Sequence, residues 1–123
     1  MPIQNHQNDL VSGVLEINLG AIAANYAAMQ AQAPGAKVGA AVKADAYGLG
    51  MEKVAPALWK AGCTDYFVAT IEEGVALRTI LATAKIYVLN GIFAGQETAF
   101  SAFGLTPVIN SFEEGRLWQD FAA

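Results

Sequence analysis

Lys43 and Tyr47 stand in the stretch AVKADAYGLG (41–50), between an apolar run and two glycines. A lysine at the end of a strand most often snorkels into water. Here its stem is flanked by AAV, and partial desolvation of an amine favours the neutral form. A neutral amine can attack a carbonyl carbon. Tyr47 can supply a phenol beside that amine, or simply pack over the loop. Gly48 and Gly50 can be turn residues, because YGLG matches neither dinucleotide nor Walker phosphate loops.

The elements that must hold these residues are short apolar runs alternating with helical patterns. VLEINL (14–19) has strand periodicity, with Leu15, Ile17 and Leu19 on one face. Asn18 is placed to cap a helix bearing Ile22, Tyr26 and Met29, stopped by APG at 33–35. KVGAAV (37–42) predicts the strand that delivers Lys43. The next helix carries Val54, Leu58 and Ala61 and ends at Gly62, with a late start or a kink expected at Pro56. DYFVA (65–69) is the next strand, and Thr70 with Glu73 forms a capping box for a helix with Leu77 and Leu81. KIYVLNG (85–91) predicts a strand buried on both faces, followed by a weaker helix with Phe100 and Phe103. TPVIN (106–110) is the last strand. Ser111 and Glu114 form a second capping box, for a helix with Leu117, Trp118 and Phe121.

From Val38 this is a βα unit repeated, which builds either an open doubly wound sheet or part of a closed barrel. In both, ligands bind at the carboxyl ends of the strands, where Lys43 falls. Periodicity alone leaves the two open.

Composition narrows the function classes. The chain has 123 residues, 54% hydrophobic and 15% charged, which predicts one packed domain. A net charge of −4 with scattered Lys and Arg argues against nucleic acid. No apolar run is long enough for a membrane span, and no signal peptide is visible. A single cysteine, Cys63, excludes an internal disulfide and fits a reducing compartment. It reads as a small packed residue near a helix end. His6 lies in a polar leader (1–13) and reads as solvated. No metal site is expected, and the cytoplasm is the expected location.

AVKADAYGLG resembles the pyridoxal-phosphate attachment motif of the alanine racemases, K-A-[ND]-A-Y-G-x-G. LEINLGAIAANY, VATIEEGVALR, IYVLNG and TPVINSFEE are similar to further segments of that family, so the resemblance covers nearly the whole chain. Asp45 stands where Asn is also usual, and Leu49 where His is common. The resemblance implies an α/β fold: a partial TIM-type barrel of roughly four βα units, preceded by an N-terminal strand and helix, over residues 14–123. It implies that Lys43 holds pyridoxal 5′-phosphate as a Schiff base and later acts as the base on one face of the substrate α-carbon. It implies that Tyr47 lies beside the cofactor with its hydroxyl toward the phosphate, and that Leu89 lines the cofactor ring. The activity implied is interconversion of L- and D-alanine, supplying D-alanine for peptidoglycan.

The same resemblance places the opposite-face base, a tyrosine of a partner subunit's β-domain, and the arginine facing the pyridine nitrogen outside these residues. The chain is therefore expected to be an N-terminal half-barrel, inactive alone, pairing with a second copy or with a C-terminal portion. Three rivals remain. They are a non-catalytic cofactor-binding or folding module, a related decarboxylase or broad-specificity racemase, and a complete flavodoxin-like domain.

Overall fold

The computed structural model describes residues 11–123. His6 and most of the polar leader lie outside them. The elements, in order, are α1 (Leu19–Gln32), β1 (Ala40–Ala41), a single turn α2 (Lys43–Tyr47), α3 (Met51–Lys60), β2 (Asp65–Val68), α4 (Ile71–Ile80), β3 (Lys85–Val88), α5 (Glu97–Ala102), β4 (Leu105–Pro107) and α6 (Phe112–Ala122).

The strands form one parallel sheet in the order β1-β2-β3-β4. Each strand lies beside its predecessor, with no reversal of strand order. A doubly wound sheet, flavodoxin-like or otherwise, requires such a reversal at its switch point. Sequential parallel strands are the arrangement of a barrel wall. The topology therefore rejects the flavodoxin-like rival.

Alternation along the strands sends Tyr66, Val68, Ile86, Val88 and Leu105 into the core, all nearly inaccessible to solvent. Helices cover this face. The Tyr66 hydroxyl donates to the carbonyl oxygens of Ala55 on α3 (3.0 Å) and Cys63 (3.3 Å). Gly74 brings α4 against the sheet: a Cβ there would stand 3.0 Å from Leu105 Cδ1, tighter than ordinary packing. The opposite face carries Phe67 and Tyr87, stacked with centroids 5.0 Å apart and both half-buried. β3 was expected to be buried on both sides, but Lys85 is exposed and Tyr87 half-exposed. Its second face looks onto the open side of the sheet.

Several local expectations are met. Asn18 caps α1 through the Ala21 N–H (2.9 Å). Thr70 and Glu73 form the full capping box of α4. Cys63 is fully buried, its thiol donating to the Asp65 carbonyl oxygen (3.3 Å), and burial pushes its pKa up.

Other expectations are corrected. Residues 14–18 form no strand, and Val14 and Leu15 are exposed. Their alternation is real, but a strand needs a ladder partner, and none of the described strands lies beside them. The KVGAAV strand shrinks to Ala40–Ala41, and TPVIN becomes Leu105–Pro107. Met29 is 60% exposed, so the core face of α1 rests on Tyr26 with help from Ile22. α3 starts at Met51, upstream of Pro56, so the late start is not observed. Phe103 caps α5 rather than lying within it. The second capping box is half-formed: Ser111 Oγ accepts from the Glu114 N–H (3.2 Å), while the Glu114 carboxylate accepts from Asn110 N (2.6 Å).

Arg78 ties together the far end of the molecule. Its guanidinium donates to the carbonyl oxygens of Leu81, Ala82, Ala84, Phe103 and Gly104, at 2.7–3.2 Å. Those oxygens belong to the ends of α4 and α5 and the loops entering β3 and β4. Arg78→Ala is expected to lower unfolding stability by about 2–4 kcal/mol. Arg78→Lys should recover only part of it, because an ammonium cannot reproduce the planar fork. Urea denaturation of the three chains decides.

Candidate functional site

The candidate site lies at the carboxyl edge of the sheet. Val42 is 1% exposed, and its N–H donates to the Phe67 carbonyl oxygen of β2 at 2.9 Å. The next residue, Lys43, is half-buried. The chain then does something costly. Ala44, Asp45, Ala46 and Tyr47 all have positive φ, from +51° to +56°, and Gly48 follows at +82°. α2 is thus a left-handed turn, which costs non-glycine residues roughly 1–2 kcal/mol each.

Hydrogen bonds hold this turn in place. Ala46 N–H donates to Val42 O, Gly48 N–H to Ala44 O and Gly50 N–H to Asp45 O, each at 2.9 Å. The Asp45 carboxylate accepts from Met51 N (2.8 Å). It thereby serves the first turn of α3, whose own cap residue, Gly50, has no side chain. Asp and Asn both tolerate left-handed backbone and can both accept here. That accounts physically for an Asp in a motif where Asn is also usual. From the other side, Glu73 Oε2 accepts from Ala44 N at 2.6 Å.

The turn sets Lys43 and Tyr47 beside each other. Nζ lies 5.9 Å from the centroid of the Tyr47 ring, which is 63% exposed. Leu89 follows β3 at the same edge, half-buried, with its N–H donating to Val68 O (2.8 Å) and its carbonyl oxygen accepting from Asn110 Nδ2 (3.0 Å). All three residues singled out in the sequence therefore sit at the carboxyl ends of strands in one sheet. The clefts of about 660 and 620 Å³ lie elsewhere, along Ile109–Gln119 and between α1 and α3. Both are open and are lined by neither Lys43 nor Tyr47.

Sequence reasoning missed the reach of Glu73. It read the residue only as half of a capping box. The missed signal is a repeat: Thr70-Ile-Glu-Glu-Gly74 recurs as Ser111-Phe-Glu-Glu-Gly115. In both copies the second glutamate accepts from the N–H four residues upstream, Ala69 or Asn110. In both it also reaches the loop leaving the previous strand. Glu73 meets Ala44 N beyond β1, and Glu114 crowds Gly91 beyond β3. Gly91 has φ +79°, which strains any side chain there, and a Cβ would lie 2.5 Å from Glu114 Oε1, so the carboxylate would have to move.

Comparison with known proteins identifies the family and the fold. The family model described as "Alanine racemase, N-terminal domain" matches residues 17–123. The catabolic alanine racemase of Agrobacterium fabrum is 48% identical over 112 residues, 90% of this chain and 29% of that protein. The alanine racemase of Brucella ovis is 44% identical over 99% of this chain and 31% of its own length. The chain thus spans about a third of the curated relatives it matches. Among solved structures, the Bartonella henselae alanine racemase, with covalently bound pyridoxal phosphate, superposes with a TM-score of 0.81 at 40% identity. It covers 85% of this chain and 29% of that one. The biosynthetic alanine racemase of Pseudomonas aeruginosa gives 0.77 at 35% identity, covering 85% and 29%. A sequentially ordered parallel sheet, a lysine at its carboxyl edge and the match from residue 17 to 123 lead to one assignment: this chain belongs to the alanine racemase family, within its N-terminal barrel domain.

Proposed function

We propose that this chain is the cofactor-holding part of a pyridoxal-phosphate-dependent alanine racemase, with Lys43 as the attachment residue. The observation that carries this is Lys43 itself: a half-buried lysine at a strand's carboxyl end, between two peptides fixed by hydrogen bonds, with a phenol alongside. The donor set fits the cofactor's aldehyde and phosphate ends, since a primary amine can bond the first and the Tyr47 hydroxyl can donate to the second. Leu89 would lie against the ring. When bound, pyridoxal phosphate supplies an electron sink for the pair left on the substrate α-carbon.

The chain's own residues orient and move protons. Val42 and its bond to β2 anchor the lysine backbone. Lys43 Nζ, once free of the cofactor, takes or returns a proton at one face of the α-carbon. Racemisation needs a second proton donor on the opposite face, which we place in the portion of the relatives that this chain does not span. The substrate is a small amino acid, alanine by family. A coupled assay for D-alanine, run on the chain extended to its relatives' length, tests this. Turnover of alanine supports it, and turnover only of larger amino acids would move the reading to a broad-specificity racemase.

The open sheet face also needs cover. Phe67 and Tyr87 lie on it, and β1 and β4 are both edges. Unpaired strand edges recruit another chain. We expect this polypeptide to associate with a second copy, or with the rest of the barrel. In light scattering at low micromolar concentration it should exceed monomer mass, and a cooperatively melting monomer would contradict this. No described helix is long and apolar enough to cross a membrane, and a cytoplasmic location fits a reaction on small metabolites.

A further inference from the structure

Glu73 carries more hydrogen bonds than a capping box requires. Oε1 accepts from Ala69 N and Thr70 N, both at 3.0 Å, and Oε2 accepts from Ala44 N at 2.6 Å. The first two bonds close the local turn at the start of α4. The third spans 29 residues of sequence to the peptide immediately after Lys43. In the second copy of the motif capping occurs without such a bond: Glu114 approaches the loop beyond β3 but no hydrogen bond joins them. Glu114 makes the equivalent upstream bond to Asn110 N, yet the loop it reaches holds a glycine and no lysine.

We propose that Glu73 is a positioning residue for Lys43, acting as an anionic tether on the left-handed turn; the proposal rests on the cofactor reading above. Lys43 is bracketed by two fixed peptides. Val42 N is held by β2, and Ala44 N by Glu73. Ala44 opens a run of four positive-φ residues, so its N–H begins a left-handed turn and has no partner within it. The unstrained alternative for these residues is to relax toward negative φ, which would change where the Lys43 amine stands relative to Tyr47 and the rest of the turn. An ionised carboxylate opposes that relaxation more strongly than a neutral acceptor. Because both oxygens are used, the same carboxylate ties the loop beyond β1 to the loop beyond β2.

The test compares Glu73→Gln with Thr70→Ala in this chain. The amide introduced by E73Q keeps one neutral acceptor oxygen and so could serve only one side of the bridge. Thr70→Ala removes the cap of the same helix and leaves the bond to Ala44. Two quantities are read: hydrogen exchange at the Ala44 amide, and the rate at which borohydride traps pyridoxal phosphate on Lys43. In E73Q, Ala44 protection and the Lys43 trapping rate should each fall about tenfold, the scale of one charge-assisted hydrogen bond. In T70A both should stay near the unaltered values despite a comparable loss of thermal stability. Equal trapping in E73Q and T70A, or an Ala44 amide indifferent to E73Q, overturns the positioning role alone. Trapping spread evenly over all lysines in the unaltered chain overturns the cofactor reading itself.

Discussion

Replacing Lys43 by alanine is expected to remove alanine racemisation from the protein extended to its relatives' length, by at least ~10²–10⁴-fold. Under the proposed function the substitution would delete both the attachment amine and the proton carrier on one face, so the combined loss should exceed that of either role. Stability should barely change. Lys43 is half-buried and has no ion-pair partner among the described residues, unlike Lys37, whose Nζ lies 3.4 Å from Asp65 Oδ1. Surface-like substitutions of this kind typically stay within ~0.5 kcal/mol. Thermal melts of both proteins would thus nearly superimpose while D-alanine production disappears. Retained turnover in Lys43→Ala would show that another amine carries the chemistry.

The second large effect concerns this chain alone. With pyridoxal phosphate added, it should racemise alanine no faster than the free cofactor does, while the extended protein turns over. The physical reason is stereochemical: one base can exchange a proton at one face, but inversion requires delivery from the other. Absence of acid–base assistance at a single proton transfer costs ~10²–10⁴-fold. Coupled detection of D-alanine is sensitive over that range. Robust turnover by residues 1–123 would mean that Tyr47, or another residue of this chain, serves the opposite face.

Much of the fold was legible from residue order, because capping and burial are local. Asn18, Thr70 and Glu73 act as their types and spacing imply. Pro56 did not delay the start of α3, since a helix that buries Val54, Ala55 and Leu58 tolerates one lost backbone bond. Leu15 and Ile17 misled for a different reason. Alternation announces a strand's faces but not the neighbour it must pair with. The barrel-type winding was not legible from periodicity either. It emerged from strand order, a long-range property.

At the site, the lysine and tyrosine were legible as residue types at a spacing. The left-handed turn that sets them side by side was not. Alanine and tyrosine at 44, 46 and 47 carry no local preference for positive φ, and only Gly48 and Asp45 hint at it. What braces the turn from outside is a carboxylate 29 residues away. The repeated T/S-x-E-E-G motif held that information, but only the structure revealed that both copies reach across to a neighbouring strand.

The central claim is that Lys43 is the one amine poised for pyridoxal phosphate. Lys37 is engaged with Asp65, Lys53 and Lys60 lie on α3, and Lys85 lies on β3 at the strand's amino end. Incubation with the cofactor, borohydride reduction and peptide mass mapping would read the claim directly. The account predicts the reduced adduct on the peptide containing Lys43, in clear excess over every other lysine. Label shared evenly among Lys37, Lys43, Lys53, Lys60 and Lys85 would contradict it.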